Sequence, residues 1–368
     1  MKKLLFFVKT NAVMLIAMLL ALITSIIVPP DEKYLEYFDL RTLTCLFTVL
    51  AVVCALKNVR FFYTVAEKIV KNFKNARLAS LALVYITFIG SMLIANDMAL
   101  LTFLPLGYFV LISSGMEKYM APVFILQNIA ANLGGMLTPF GNPQNLYLYS
   151  KFNIPDGEFV LIMLPPFLLA VGLITLSVFI FVKPEPLGFS GVERKLPLPR
   201  VAIYLGLFIF SILCVFRLIP YWWALIVVVP VIFVMDRVAL LKVDYGLLLT
   251  FVFFFIFSGN MARIDAVREL FSALLEGSTL LVSTLSCQFM SNVPTAILLS
   301  QFTDNYRELL LGVNIGGCGT LISSLASLIT FREYTEHNPK GTAKYIGLFS
   351  LLNFGFLAVM LVFCFIIL

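Results

Sequence analysis

Apolar stretches long enough to cross a bilayer alternate with short polar loops along nearly the whole chain. The first runs from about Val13 to Val28 and ends at Pro29-Pro30. An acidic loop holding Asp31, Glu32, Glu36 and Asp39 follows, then a second span, about Arg41 to Leu56. The next segment is basic (Lys57, Arg60, Lys68, Lys71, Lys74, Arg77), with Phe61, Phe62, Val65, Ile69, Val70 and Phe73 at helical spacing. That pattern predicts a helix lying along the membrane interface. Leu78 to Ser113 is too long for one straight crossing of about 20 residues and returns to the side it left, so it reads as two spans or a re-entrant hairpin. A broken segment over about 121–150 crosses outward, and a span over about Phe159 to Val182 returns.

Residues 184–200 form a polar, Pro- and Gly-containing linker with Arg194, Lys195 and Arg200. Beyond it, a span from about Val201 to Phe216 lacks a counterpart in the first half. Spans follow at about Trp222 to Met235 and Tyr245 to Asn260. The chain ends with a hairpin at about 279–301, a broken segment at 309–331 and a span at about Tyr345 to Leu368. The arms of the second hairpin, roughly 10 to 13 residues or about 15 to 20 Å, cannot each cross about 30 Å of hydrocarbon. By analogy the first hairpin is re-entrant as well.

The two halves share text. Asn314 to Leu328 aligns without gaps on Asn132 to Leu146, placing Gly141 on Ser323 and Asn145 on Ser327. Ala95-Asn96-Asp97 matches Ser291-Asn292-Val293, and Asp39 to Leu43 matches Asp244 to Leu248. Three matches in one order predict a duplicated unit, and the odd extra span inverts the second copy. The expectation is an all-α polytopic membrane protein of two inverted-topology repeats (1–183 and 201–368), each with a re-entrant hairpin and a broken transmembrane helix. It has nine crossings, a cytoplasmic N-terminus and an external C-terminus. Loop charges agree with the positive-inside rule, except that Arg263 and Arg268 fall outside beside Asp265, Glu269 and Glu276.

Composition narrows the class. Of 368 residues, 61% are hydrophobic and 12% charged, leaving no room for separate soluble domains. The net charge of +6 is what basic cytoplasmic loops give and calls for no nucleic-acid partner. All six cysteines fall in apolar segments without Cys-x-x-Cys spacing, which supports neither a disulfide framework nor a zinc site. No Walker-type loop, His-Glu-x-x-His or Gly-x-Ser-x-Gly is present, so neither ATP hydrolysis nor an intramembrane enzyme is expected.

The candidate chemistry sits at the tips and breaks. Prolines and glycines between Gly134 and Pro143 interrupt a helix that hydrocarbon would otherwise keep whole, and such breaks survive where they face protein, water or a ligand. Paired breaks in two halves point to a transporter's site. Candidate ligands are Asn96, Asp97, Thr138, Gly141, Asn142 and Asn145 from the first half. The second half offers Ser291, Asn292, Thr295, Thr320, Ser323 and Ser324. A sodium ion could sit at Asn96 and Gly141 or at Asn292 and Ser323, where asparagine and main-chain oxygens suit a hard cation. The duller alternatives are that the asparagines cap turns, that Gly134-Gly135 and Gly316-Gly317 only permit close packing, and that the hydroxyls bond back to their own helices. Asp97 is an ionisable group at membrane depth, where such groups mark ion pathways. His337 reads as incidental, the run Phe251 to Phe257 as lipid-facing, and Trp222 and Trp223 as interfacial anchors.

These residues resemble the ion transporter superfamily, which includes divalent anion/sodium symporters, citrate transporters, arsenite permeases and NhaD-like antiporters. Thr138-Pro-Phe-Gly-Asn-Pro-Gln-Asn145 is similar to the symporters' Thr-Pro-Ile-Gly-Thr-Pro-Pro-Asn loop. The tip asparagines match their Ser-Asn-Thr tips without the Thr, and Ala95-Asn96-Asp97 resembles the arsenite permease tip. The resemblance implies a homodimer with an elevator motion in the cell's inner (plasma) membrane. It also implies no cofactor beyond Na+ or H+ as coupling ion, and a small anionic or neutral oxyanion cargo of carboxylate or arsenite type. A Na+/H+ antiporter exchanging at Asp97 is the alternative.

Overall fold

A computed structural model describes residues 12–188 and 195–368; the N-terminal Lys2 and Lys3 and linker residue Arg194 lie outside the described residues. The first half comprises α1 (Ala12–Ile27), α2 (Leu40–Asn58), α3 (Phe61–Val70), α4 (Ala76–Ile94), α5 (Asn96–Ser113), α6 (Met120–Gly134), α7 (Pro143–Lys151) and α8 (Asp156–Phe181). After α9 (Leu198–Val215), the second half is α10 (Trp222–Met235), α11 (Arg237–Leu241), α12 (Tyr245–Ala262), α13 (Asp265–Gly277), α14 (Thr279–Met290), α15 (Asn292–Leu299), α16 (Tyr306–Ile315), α17 (Leu325–His337) and α18 (Thr342–Ile367). Setting aside α9 and the single turn α11, the halves match element for element. Asp39 caps α2 through the Thr42 N–H and Asp244 caps α12 through the Leu247 N–H, so the matched aspartates do the same local work.

The repeats interlock. α1 packs on α12, the second helix of the other repeat, and α10 packs on α2 in the reciprocal way. The broken helices face each other, α17 against α5 and α6, α15 and α16 against α7. Gly134 lets α6 lie against α4, where a β-carbon would strike the Phe88 carbonyl. Gly316 does the same for α16 against α14, where a β-carbon would approach Cys287 Sγ to 2.9 Å. Close packing is therefore what these two glycines provide.

The structure corrects four local readings. The first hairpin is unlike the second. α4 and α5 have 19 and 18 residues, long enough by length to cross, against 12 and 8 for α14 and α15. Among the described residues eight helices are long and apolar enough to span, or nine if the bent pair α13–α14, at 118°, counts as one span. α1 and α10 are shorter apolar helices. Second, the segment after Arg263 is helical. Val267, Leu270, Phe271, Leu274 and Leu275 recur at helical spacing in α13, the counterpart of amphipathic α3. Arg263 itself donates to both oxygens of Asp31 at 2.7 and 3.0 Å, which holds the Asp31 carboxyl below its ordinary range and neutralises the cation that broke the charge rule.

Third, Phe251, Phe254 and Phe255 are buried and do not face lipid; Phe251 and Phe255 pack on Tyr147 of α7. An all-apolar helix carries no periodicity to say which face meets protein. Fourth, His337 ends α17 and stacks on Tyr108 at 3.7 Å with Glu333 3.5 Å away, so it joins α17 to α5. The start of the linker is pinned to the first repeat, since Leu187 N–H donates to the Lys74 carbonyl and Lys118 pairs with Glu185 at 2.6 Å.

Packing at the two matched glycines yields a direct test. Gly134→Val and Gly316→Val should each lower the melting temperature in detergent, by an overpacking cost of about 1–3 kcal/mol. Gly206→Ala and Gly347→Ala, where an added β-carbon meets nothing within 4 Å, should melt like the parent.

Candidate functional site

Each break frees main-chain carbonyls that an apolar layer cannot solvate. In the first break, the chain passes from α6 through a 3-10 turn (Gly135–Leu137) to Asn142, which precedes α7. Asn145 serves these carbonyls: its Nδ2 donates to Gly135 O and Met136 O, both at 3.2 Å, and to Thr138 O at 3.3 Å. Thr138 Oγ1 donates to the Met92 carbonyl at 2.7 Å, tying the break to α4. Gly141 lies so close to Gly135 that a β-carbon would collide with its carbonyl.

In the second break, between α16 and α17, Gln288 of α14 plays the same part. Its Nε2 reaches Gly316 O at 3.0 Å and Cys318 O at 3.1 Å. Thr320 is engaged with Gln288 through both its N–H and its hydroxyl, at 2.9 Å each. Ser323 Oγ donates to Gly317 O and Thr320 O. Thr295 bonds back to Ser291 O in its own helix at 2.7 Å. Six of the sequence-chosen residues (Asn142, which reaches the Asn132 carbonyl at 3.2 Å, with Asn145, Thr138, Thr320, Ser323 and Thr295) thus donate to nearby backbone.

Two residues outside the sequence-based selection join the breaks. Asn132, at the end of α6, donates across the repeats to Gly317 O at 3.2 Å and Ser324 Oγ at 3.1 Å. Its alignment partner Asn314 donates to Asn145 Oδ1 at 2.6 Å and accepts from Asn142 Nδ2 at 3.2 Å. The signal was available, because Asn132 and Asn314 open the aligned stretch; Gln288 offered only an isolated amide in an apolar arm. Ser324 caps α17 through the Ser327 N–H.

The tips meet this core. Ala95 and Ser291 share one backbone conformation, φ 66°, ψ 151° and φ 74°, ψ 160°, a region costly for any residue but glycine. In both, the next asparagine's Oδ1 accepts the following N–H at 2.9 Å, from Asp97 and from Val293. Asn96 Nδ2 donates to Asn132 Oδ1 at 3.1 Å, and the Asn292 N–H donates to Ser323 O at 3.0 Å. Each tip therefore docks on a break.

A cavity of about 440 Å³ opens between the tips, lined by Asn96, Asp97, Gln144, Asp244, Ser291 and Asn292 among apolar side chains that include Phe254, Phe257 and Phe289. Asp97 Oδ1 is buried there without a hydrogen-bond partner among the described residues. The second carboxylate, Asp244, was not among the candidates; the sequence marks it only as the opening of an apolar span matched to Asp39.

Residues 2–305 match the family described as citrate transporter. An uncharacterized transporter of Methanocaldococcus jannaschii is 32% identical over 331 residues, 89% of this chain and 90% of that protein. The inner membrane protein YbiR of Escherichia coli is 29% identical over 279 residues, 74% of each chain. The silicon efflux transporter LSI3 of Oryza sativa is 29% identical over 148 residues, 40% of this chain and 30% of that protein.

The amide that joins the repeats can be tested without a transport assay. Asn132→Ala should destabilise the protein in detergent by about 1–3 kcal/mol, since it strands the Asn96 amide in the core and leaves the Gly317 carbonyl with Ser323 Oγ as its remaining side-chain donor. Asn314→Ala should act similarly, and the double variant should cost less than the sum of the two.

Proposed function

The chain belongs to the citrate transporter family, and on that premise we propose that it carries a small anion or oxyanion across the cell's plasma membrane by coupling to H+ or Na+, with Asp97 as the coupling carboxylate. The family and two of the named relatives, those of Methanocaldococcus jannaschii and Oryza sativa, are described as transporters and not as enzymes. The observation that carries the proposal is the unpartnered Asp97 Oδ1 in a cavity between two tips that each dock on a broken helix. A carboxylate held at that depth without a partner is stabilised by taking a proton or a cation, and either one neutralises the charge that would repel an anionic cargo. The cargo class follows the family's description, and the partial relative is named for silicon efflux.

Asn96 accepts the Asp97 N–H, and both tip asparagines line the cavity. A sodium ion at Asn96 and Gly141 or at Asn292 and Ser323 would share asparagine oxygens that already accept a main-chain N–H. Asn96 Oδ1 accepts the Asp97 N–H and keeps a lone pair for such an ion, whereas Asn292 Oδ1 already accepts from both Val293 N and Ser291 Oγ, which favours the Asn96 site. The same proposal includes a homodimer with an elevator motion, a cytoplasmic N-terminus and an external C-terminus. A second reading, Na+/H+ exchange at Asp97 without anion cargo, is favoured by the second carboxylate on the cavity wall, Asp244.

Flux into sealed proteoliposomes decides between them. Asp97→Asn should bind cargo but lose the dependence of flux on pH or on Na+. A profile identical to wild type would remove Asp97 from coupling. Anion-independent Na+/H+ exchange would favour the second reading. Asn96→Ala and Asn292→Ala should each reduce flux at least tenfold with folding largely retained; wild-type flux in either would exclude that tip.

A further inference from the structure

Away from the central cavity, the joint between α3 and α4 carries a groove of about 310 Å³. Its lining is apolar apart from one phenol: Ile69 and Phe73 come from α3 and the turn after it, and Leu78, Ala82, Tyr85 and Ile89 from α4. The four α4 residues recur every three or four positions and so share one face of the helix. Leu83, Val84 and Thr87, on its other sides, are fully buried. Ala82, the smallest side chain of the row, leaves the hollow. The Tyr85 ring is a fixed wall, since its hydroxyl lies 2.5 Å from Thr175 Oγ1 and 3.2 Å from the Val171 carbonyl of α8. Ile69, Leu78 and Ile89 are 41, 43 and 54% exposed, so the groove is open along its length.

From Leu78 to Ile89 the groove follows α4 for about 16 Å at 1.5 Å per residue. That is about half of the roughly 30 Å hydrocarbon layer, the depth of one leaflet. Its polar end is basic. Arg77 is engaged there, with Nε on the Val182 carbonyl at 2.8 Å and its guanidinium over the Phe179 ring, and Lys118 pairs with Glu185. Lys68 and Lys74, next in sequence to Ile69 and Phe73, are exposed, and their ammonium groups have no partner among the described residues. A neutral lipid chain fits the groove and leaves these cations unanswered, whereas a soluble anion pairs with the cations and leaves the groove bare. An amphiphile with a negative head uses both. We propose that this groove is a binding site for an anionic glycerophospholipid, with one acyl chain along α4 from Leu78 to Ile89 and the phosphate headgroup at Lys68 and Lys74. Seated there, the lipid bridges α3 and α4, the joint through which the chain passes from α2 to the arm that carries the first tip.

The test uses purified full-length protein in a neutral detergent and reads the melting temperature as lipid is added. Phosphatidylglycerol is the anionic probe and phosphatidylcholine with the same chains the zwitterionic one. A lipid that binds only the folded state raises the melting temperature, and wild type should respond to phosphatidylglycerol at a roughly tenfold lower concentration than to phosphatidylcholine. The double variant Lys68→Gln/Lys74→Gln should lose that preference and, without lipid, melt like wild type, because both side chains are exposed. Lys340→Gln/Lys344→Gln, a second exposed basic pair, should keep it. Ala82→Phe, which fills the hollow, should weaken the response to both lipids. Equal responses to the two lipids in wild type overturn the proposal, as does a preference that survives Lys68→Gln/Lys74→Gln. Loss of the preference in the Lys340 and Lys344 variant as well reduces it to general surface attraction and rejects the site. An undiminished response in Ala82→Phe removes the groove from it. Light scattering covers the other occupant: a dimer that Ala82→Phe splits, with no headgroup preference in wild type, gives the groove to a second copy of the chain and also overturns the proposal.

Discussion

Interrupting a helix inside an apolar layer leaves main-chain carbonyls with nothing to accept from, and nearly every polar side chain near the centre of this molecule answers that constraint. Asn145 closes the first break and Gln288 the second, each from a different structural origin: one within the half-helix that follows, the other on the hairpin arm alongside. Once the backbone is served, little polar capacity remains. On the cavity wall, the buried side-chain oxygens left without a partner among the described residues are Asp97 Oδ1 and Gln144 Oε1.

The same economy explains why two repeats make one fold. Neither break is completed within its own repeat, because Asn132 reaches the Gly317 carbonyl and the Ser324 cap, and Asn142 reaches Asn314. The first two helices of each repeat likewise pack against the other's. The tips add a local tension. Ala95 and Ser291 occupy backbone conformations that cost on the order of 1–3 kcal/mol in non-glycine residues. Both are stabilised by the asparagine side chain that bonds the next N–H, a geometry repeated although the residue after it differs, Asp97 in one and Val293 in the other.

Much of this was legible in the sequence, because duplication leaves local marks. Proline and glycine clusters located both breaks, the shared Asn located both tips, and the paired aspartates marked matching helix starts. What stayed hidden was partnership at a distance. The amide at Asn132 finds its acceptors 185 and 192 positions away, and no local pattern encodes that. The lengths of α4 and α5 were blurred by a continuous apolar run, and the burial of Phe251 by a helix apolar on every side. His337 looked idle in the sequence because its partner, Tyr108, belongs to a distant helix. Asp244 stood out only as the start of an apolar span matched to Asp39, and its place on the cavity wall became visible only when the second repeat was folded against the first.

The crossed pairing has a consequence for how such a chain is made. A ribosome delivers the first repeat to the bilayer well before the helices that complete it exist. α1 must wait for α12, more than 200 residues later, and the Asn132 amide must wait for Gly317 and Ser324. During that interval polar groups destined for the centre need temporary partners among themselves, in water or in the insertion machinery. Long-range contacts of this kind slow assembly and expose intermediates to error. The interlock that gives the finished protein its single core therefore makes its synthesis a matter of timing, with the first half held unfinished until the second arrives.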